Sequence, residues 1–165
     1  NNYALILSLT IPKGMGFGIN YTINKNTYVF NVFGAFDFQA FKNTSNLKMG
    51  FDNEQRLREL SVHEFGHSFV NPVVGKLPDE TFTRTQGYNT WKVCVYEHFV
   101  RAGEIFIAEK LGDKKGAEKL RIEYEQDRQF KYIPIILAEL KSFDKGKYKT
   151  YFETVQKTMD ELKKN

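Results

Sequence analysis

Two hydrophobic patterns divide the chain. In the first third, segments rich in apolar and β-branched residues are separated by turns that contain glycine or asparagine, which predicts β-strands. We expect these strands at Tyr3–Ile11, Phe17–Ile23 and Thr27–Phe33. The alternation of apolar and polar positions in Phe36–Ala40 predicts one further, half-buried strand.

From Asp52 onward the apolar positions recur with the period of a helix. Asp52 with Gln55 three residues later matches a capping box, so a helix is expected to begin there and to run to about Val70, where Asn71-Pro72 should end it. Later helices are expected at Trp91–Leu111, Asp113–Gln129, Pro134–Ser142 and Lys149–Lys163. The sequence thus predicts an α+β fold in a single domain over residues 1–165, strand-rich in 1–48 and helical in 52–163.

Composition and charge exclude several classes of protein. The 165 residues are 41% hydrophobic and 15% aromatic, which is enough to form a core and excludes a disordered chain. A net charge of +4 is too small to indicate a nucleic-acid partner, and no segment is apolar enough to cross a membrane. The single cysteine, Cys94, excludes an internal disulfide and is expected to be a small buried residue.

The chemistry is expected in the sequence His63-Glu64-Phe65-Gly66-His67, an H-E-x-x-H motif inside the first predicted helix. Residues four apart share a helical face, so His63 and His67 can direct ring nitrogens at one ion. Glu64 is placed to take a proton from a water on that ion. Zn²⁺ is the expected cofactor, and it needs one more protein ligand.

The third ligand is expected on the second long helix. Val70 and Val73 occupy the positions where an extended metzincin motif requires glycine and histidine, which excludes that class. A glutamate from a following helix is the other arrangement, and we favour Glu97 for it. The alternatives are Glu104, His98 and the loop acids Asp79 and Glu80.

Three further residues are candidates for roles around the metal. Arg101 lies four residues after Glu97, so it forms either an ordinary helical salt bridge, a contact that orients the ligand, or a contact with a substrate carboxylate. Tyr88 and His98 are candidates to donate a hydrogen bond to a tetrahedral oxyanion, although both residue types are also common in structural positions.

These residues carry a resemblance to a known class. Ser61–Pro72, followed by Glu97–Ala102, is similar to an uncharacterised bacterial family of exported zincin-like domains, and more broadly resembles the gluzincin metallopeptidases. The resemblance implies a zincin-type α+β domain in which a small mixed sheet precedes the active-site helix. It also implies a peptide substrate paired with an edge strand, which we expect within Asn31–Gln39. Export to the periplasm or cell surface is a further implication.

The sequence departs from the gluzincin pattern in two respects. The segment 68–96 between the second histidine and Glu97 is longer than in the best-known members. The acidic residue that those members often carry four positions after the ligand glutamate is Arg101 here. The chain begins at Asn1, so we expect a processed or trimmed form, and a missing signal peptide says nothing about export.

The resulting hypothesis is a zinc metallopeptidase acting on a peptide or protein substrate. His63, His67 and Glu97 would hold Zn²⁺, and Glu64 would be the general base. One alternative is a non-catalytic zinc-bearing binding domain, against which the intact Glu64 argues. The other is a globular interaction module in which the motif is fortuitous.

Overall fold

The chain folds as a small sheet followed by helices. The computed structural model describes residues 2–37, 50–78 and 86–164. Its strands are β1 (Asn2–Leu7), β2 (Gly16–Ile23) and β3 (Asn26–Phe33). Its α-helices are α1 (Glu54–Val74), α2 (Trp91–Lys110), α3 (Lys114–Arg121), α4 (Ile133–Asp144) and α5 (Tyr151–Leu162), and a π-helical segment, Ile122–Asp127, follows α3. The predicted α+β fold is confirmed.

The chain divides into two compact units, Asn1–Ser68 and Phe69–Asn165. The boundary falls inside α1, so residues 54–68 of this helix belong with the sheet, whereas residues 69–74 belong with the later helices. The expectation of one domain over the whole chain stays a prediction.

The sheet of the first unit is mixed, with strand order β1-β3-β2. Strand β1 runs parallel to β3, with Leu5 opposite Asn31, and β2 runs antiparallel to it, with Gly18 opposite the same residue. Strand β3 is therefore central, and the expected edge strand at Asn31–Gln39 is wrong for the part that is strand. Strand β3 pairs on both sides because the chain crosses over and returns beside β1. The alternation of apolar and polar residues does not encode this strand order.

The strand predicted at Phe36–Ala40 does not form over its described part. Phe36 and Asp37 lie in a bend, and the Phe36 amide donates to the Gly50 carbonyl at 2.7 Å. Residues 38–40 lie outside the described residues. Phe36 is still buried, 8% exposed, so its apolar side chain serves the core without strand pairing.

Helix α1 differs from its prediction at both ends. Its first turn is capped by Asn53, whose Oδ1 accepts from the Arg56 amide at 3.0 Å, so the expected cap at Asp52 is wrong by one residue. At the other end, Pro72 lies inside the helix, which continues to Val74. Val74 is fully buried. The free energy gained by burying this side chain offsets the loss of the backbone hydrogen bond that proline cannot form.

In the first unit, α1 packs on one face of the sheet. The Tyr3 ring meets the Phe65 ring edge-on with centroids 5.3 Å apart, and Asn31 Nδ2 donates to the Ser61 carbonyl at 3.4 Å. Close approach is possible because Gly16 has no side chain: a β-carbon there would lie 3.1 Å from Leu60 Cδ2. The helix that carries the motif is thereby held against the strands.

In the second unit, α2 is the central helix. Thr90 caps it by accepting from the Val93 amide at 3.2 Å, and Gly112 follows its end with φ +79°. Cys94 is fully buried, as expected. Apolar residues of α2 pack with the other helices in one core that includes Val95, Phe99, Ile105, Leu120, Ile133, Ile136, Val155 and Leu162.

None of the helices in the described parts of the chain is both long enough and apolar enough to cross a membrane.

Candidate metal centre

The two histidines of the motif face each other on α1. Their Nε2 atoms lie 3.3 Å apart, and the rings stand nearly perpendicular, with an interplanar angle of 83°. Two nitrogens bound tetrahedrally to zinc at about 2.0–2.1 Å would lie roughly 3.3–3.4 Å apart. The separation of these atoms therefore fits two ligands of one tetrahedral ion.

Glu64 is next to the first histidine and nearly buried, with 9% of its surface exposed. Strand β2 passes beside it: a β-carbon added at Gly18 would lie 3.2 Å from the Glu64 carbonyl oxygen and 3.8 Å from Oε2 of its carboxylate. Gly18 therefore permits β2 to approach the turn of α1 that carries Glu64. Sequence analysis missed this residue, although a glycine inside a strand pattern signals close approach of another backbone.

Glu97, the predicted third ligand, lies on α2. It belongs to the second unit, whereas His63 and His67 belong to the first. That Glu97 completes the ligand set with the two histidines stays a prediction.

Arg101 is paired with Glu97 along α2. Its Nη1 donates to Glu97 Oε2 and also to the Glu97 carbonyl at 3.3 Å. Burial acts to lower the pKa of the Arg101 guanidinium, but the Glu97 carboxylate, Tyr88 and Glu104 together hold that pKa above its usual value. Of the roles considered for Arg101, the structure contains the salt bridge, and this contact also orients the carboxylate.

Of the alternative acidic ligands, Glu104 has another partner, and the two loop acids lie outside the described residues. Glu104 is buried, 4% exposed, and its Oε2 accepts a hydrogen bond from the Tyr124 hydroxyl at 2.6 Å. Burial and the carboxylate of Glu104 raise the pKa of Tyr124, so this tyrosine stays protonated and keeps donating. Asp79 and Glu80 lie outside the described residues.

His98 lies in the core of the second unit. Its ring is fully buried, and Nδ1 donates to the Cys94 carbonyl at 2.7 Å. Burial lowers the pKa of His98 to about 4, so the ring is neutral and its Nε2 carries no proton. Nε2 has no partner among the described residues. The role of His98 as an oxyanion donor gains no support from this arrangement.

Tyr88 is half-buried and stacks on Phe130, with centroids 6.5 Å apart. Burial raises the pKa of its hydroxyl, and the charges of Arg101 and Glu97 act on it in opposite directions. The hydroxyl is therefore a protonated donor at neutral pH. Its role toward a substrate stays a prediction.

Comparison with known proteins shows the family of the chain. The model of a family described as a domain of unknown function (DUF4932) matches residues 1–164, so the chain belongs to this family. Neither the curated proteins nor the solved structures contain a match. The family description names no activity.

Proposed function

We propose that the chain is a zinc-dependent metallopeptidase that hydrolyses bonds in a peptide or protein substrate. The observation that carries this proposal is the 3.3 Å separation of His63 Nε2 and His67 Nε2. That distance suits a tetrahedral ion, and we propose Glu97 of α2 as the ligand that adds a carboxylate oxygen.

The donor set supports a catalytic rather than a structural site. Two imidazoles and one carboxylate provide three protein ligands, which leaves a fourth position for water or substrate, whereas structural zinc sites are usually closed by four protein ligands. When bound there, Zn²⁺ would lower the pKa of a coordinated water toward about 7 and polarise a substrate carbonyl.

Glu64 supplies the proton transfer. Its carboxylate is nearly buried and follows the first histidine directly in the helix, within reach of a water on the ion. Glu64 takes the proton from the attacking water at one of its carboxylate oxygens and then gives it to the leaving amine. A non-catalytic zinc-bearing domain has no use for this carboxylate.

The test compares the wild-type protein with Glu64→Gln, which keeps the shape of the side chain but cannot accept the proton. Both proteins are loaded with one equivalent of zinc and incubated with a mixture of peptides, and the fragments are quantified by mass spectrometry. We expect cleavage by the wild type, loss of cleavage with a chelator, and at least a ~10²-fold lower rate for the variant at unchanged zinc content.

Three outcomes would contradict the proposal. Equal rates for the two proteins would remove Glu64 as the base. Zinc binding without any cleavage would favour the non-catalytic zinc-bearing domain. Metal analysis that finds no metal, or finds iron at the same ligands, would remove the zinc chemistry altogether.

A further inference from the structure

The guanidinium of Arg101 is enclosed by aromatic side chains. It lies 4.8 Å from the centroid of the Phe130 ring and 5.6 Å from that of Tyr124, and only 12% of its side chain is exposed. Both distances are within the range of a cation–π contact. Tyr124 belongs to the π-helical segment, and Phe130 follows that segment with its amide bonded to the Tyr124 carbonyl at 2.8 Å.

The aromatic enclosure is itself held in place. The Tyr124 hydroxyl donates to the buried Glu104 carboxylate at 2.6 Å, and the Tyr124 and Phe130 rings pack edge-on with centroids 6.1 Å apart. Glu97, Arg101 and Glu104 recur at intervals of four and three on α2, so they share one face of the helix. Arg101 is thus fixed between a carboxylate at one end and two anchored rings at the other.

Burial and pairing assign Arg101 to the protein rather than to a substrate. Its Nε is buried without a hydrogen-bond partner among the described residues, so Glu97 and the two rings set the orientation of the guanidinium. A side chain that binds a substrate carboxylate would present its donors to solvent before binding. Here Nη1 already donates to Glu97.

We propose that Arg101 is a positioning residue that restricts Glu97 to one ligating oxygen. The inference rests on the proposed function. A carboxylate can bind a metal through one oxygen or through both. Because Nη1 of Arg101 donates to Oε2, the metal would be bound through Oε1. The protein then contributes three ligand atoms rather than four, which keeps a position for the reacting water.

The test replaces zinc by Co²⁺, whose visible absorption is strong in four-coordinate sites and weaker when the coordination number rises. Arg101→Met removes the donors but keeps an unbranched stem, whereas Arg101→Lys keeps one donor for Oε2. Arg121→Met is the matched control, because Arg121 pairs with Glu109 at 2.7 Å through a similar partly buried salt bridge. Bound Co²⁺ is quantified for every sample.

We expect the absorption per bound Co²⁺ to fall at least ~2-fold in Arg101→Met, because Glu97 then binds through both oxygens. Arg101→Lys and Arg121→Met should resemble the wild type. Zinc affinity, measured by competition with a chelating dye, should fall ~10–100-fold in Arg101→Met and remain unchanged in Arg121→Met.

Identical spectra for wild type and Arg101→Met at full occupancy would overturn the inference. Loss of Co²⁺ binding in both Arg101→Met and Arg101→Lys would also overturn it. If Arg101→Met does not fold, Phe130→Leu takes its place, since it removes the nearer ring: a weaker absorption supports the inference and an unchanged one overturns it. A wild-type protein that binds no Co²⁺ refutes the proposed function and this inference with it, whereas unchanged spectra refute the inference alone.

Discussion

His63 Nε2 and His67 Nε2 lie 3.3 Å apart on α1, at the distance that two ligands of a tetrahedral zinc ion require. Both residues lie on the same helix, so its backbone hydrogen bonds hold two of the three proposed ligands in place. Metal binding at these two nitrogens would then need little rearrangement of the backbone.

Replacement of either histidine should therefore abolish stoichiometric zinc binding. His63→Ala or His67→Ala removes one of three ligands, and we expect the affinity for zinc to fall by at least ~10³-fold. Competition with a chelating dye measures the affinity. Gln55→Ala, which changes an exposed residue of the same helix, is the control and should bind like the wild type. Full occupancy in both histidine variants would locate the site elsewhere.

Two acids of α2 provide a matched test of the third ligand. Glu97→Ala should weaken zinc binding about as much as the loss of a histidine, because the remaining two ligands leave the ion incompletely bound. Glu104→Gln should leave zinc binding unchanged, and it should lower the free energy of unfolding by about 1–3 kcal/mol, since the Tyr124 hydroxyl loses a charged acceptor.

The opposite pattern, with zinc lost in Glu104→Gln and kept in Glu97→Ala, would refute Glu97 as the ligand. Arg101→Ala should still reach full occupancy at saturating zinc. If Arg101 rather than zinc is the partner that matters to Glu97, Arg101→Ala and Glu97→Ala should destabilise the fold similarly and leave zinc binding intact.

Gly18 controls the approach of β2 to the motif helix. In Gly18→Ala, the new β-carbon would lie 3.2 Å from the Glu64 carbonyl oxygen, and the strand or the helix must shift. We expect a loss of about 1 kcal/mol in the free energy of unfolding, measured by urea denaturation. Gly103→Ala in α2 meets nothing within 4 Å and should instead stabilise the protein by about 0.5–1 kcal/mol. Equal effects of the two substitutions would contradict the close approach.

Tyr151 should make stability sensitive to alkali. Burial raises the pKa of its hydroxyl above the ordinary value of 10.0. Above that pH the unfolded chain loses this proton while the folded chain retains it, so the free energy of unfolding falls as the pH rises. Urea denaturation near neutral pH and at about pH 11 should show a smaller loss in Tyr151→Phe than in the wild type. Equal losses would mean that Tyr151 titrates normally.

Local sequence patterns were sufficient to predict the helices and strands and the placement of the two histidines of the motif. The helical period from Asp52 onward and the separation of four between His63 and His67 predicted one helix with both rings on one face, and the structure has this arrangement. The cap at Thr90 and the glycine after α2 follow equally local rules. Such features depend on residues within one or two turns, which is why the sequence alone carries them.

Other features depended on packing between residues far apart in the chain. Pro72 remains inside α1 because Val74 is buried, and β3 is central because the chain crosses over to pair it with both β1 and β2. The local rule that proline ends a helix does not predict the first feature, and the hydrophobic pattern of the strands does not predict the second.

The sequence by itself determined an α+β chain with His63, Glu64 and His67 on one helical turn, since helix geometry alone sets their spacing. Only the tertiary structure decided that His98 is enclosed in the core while Glu97, its neighbour on α2, pairs with Arg101. Adjacent residues on a helix point about 100° apart, so burial of one face and exposure of the next is settled by what packs against the helix.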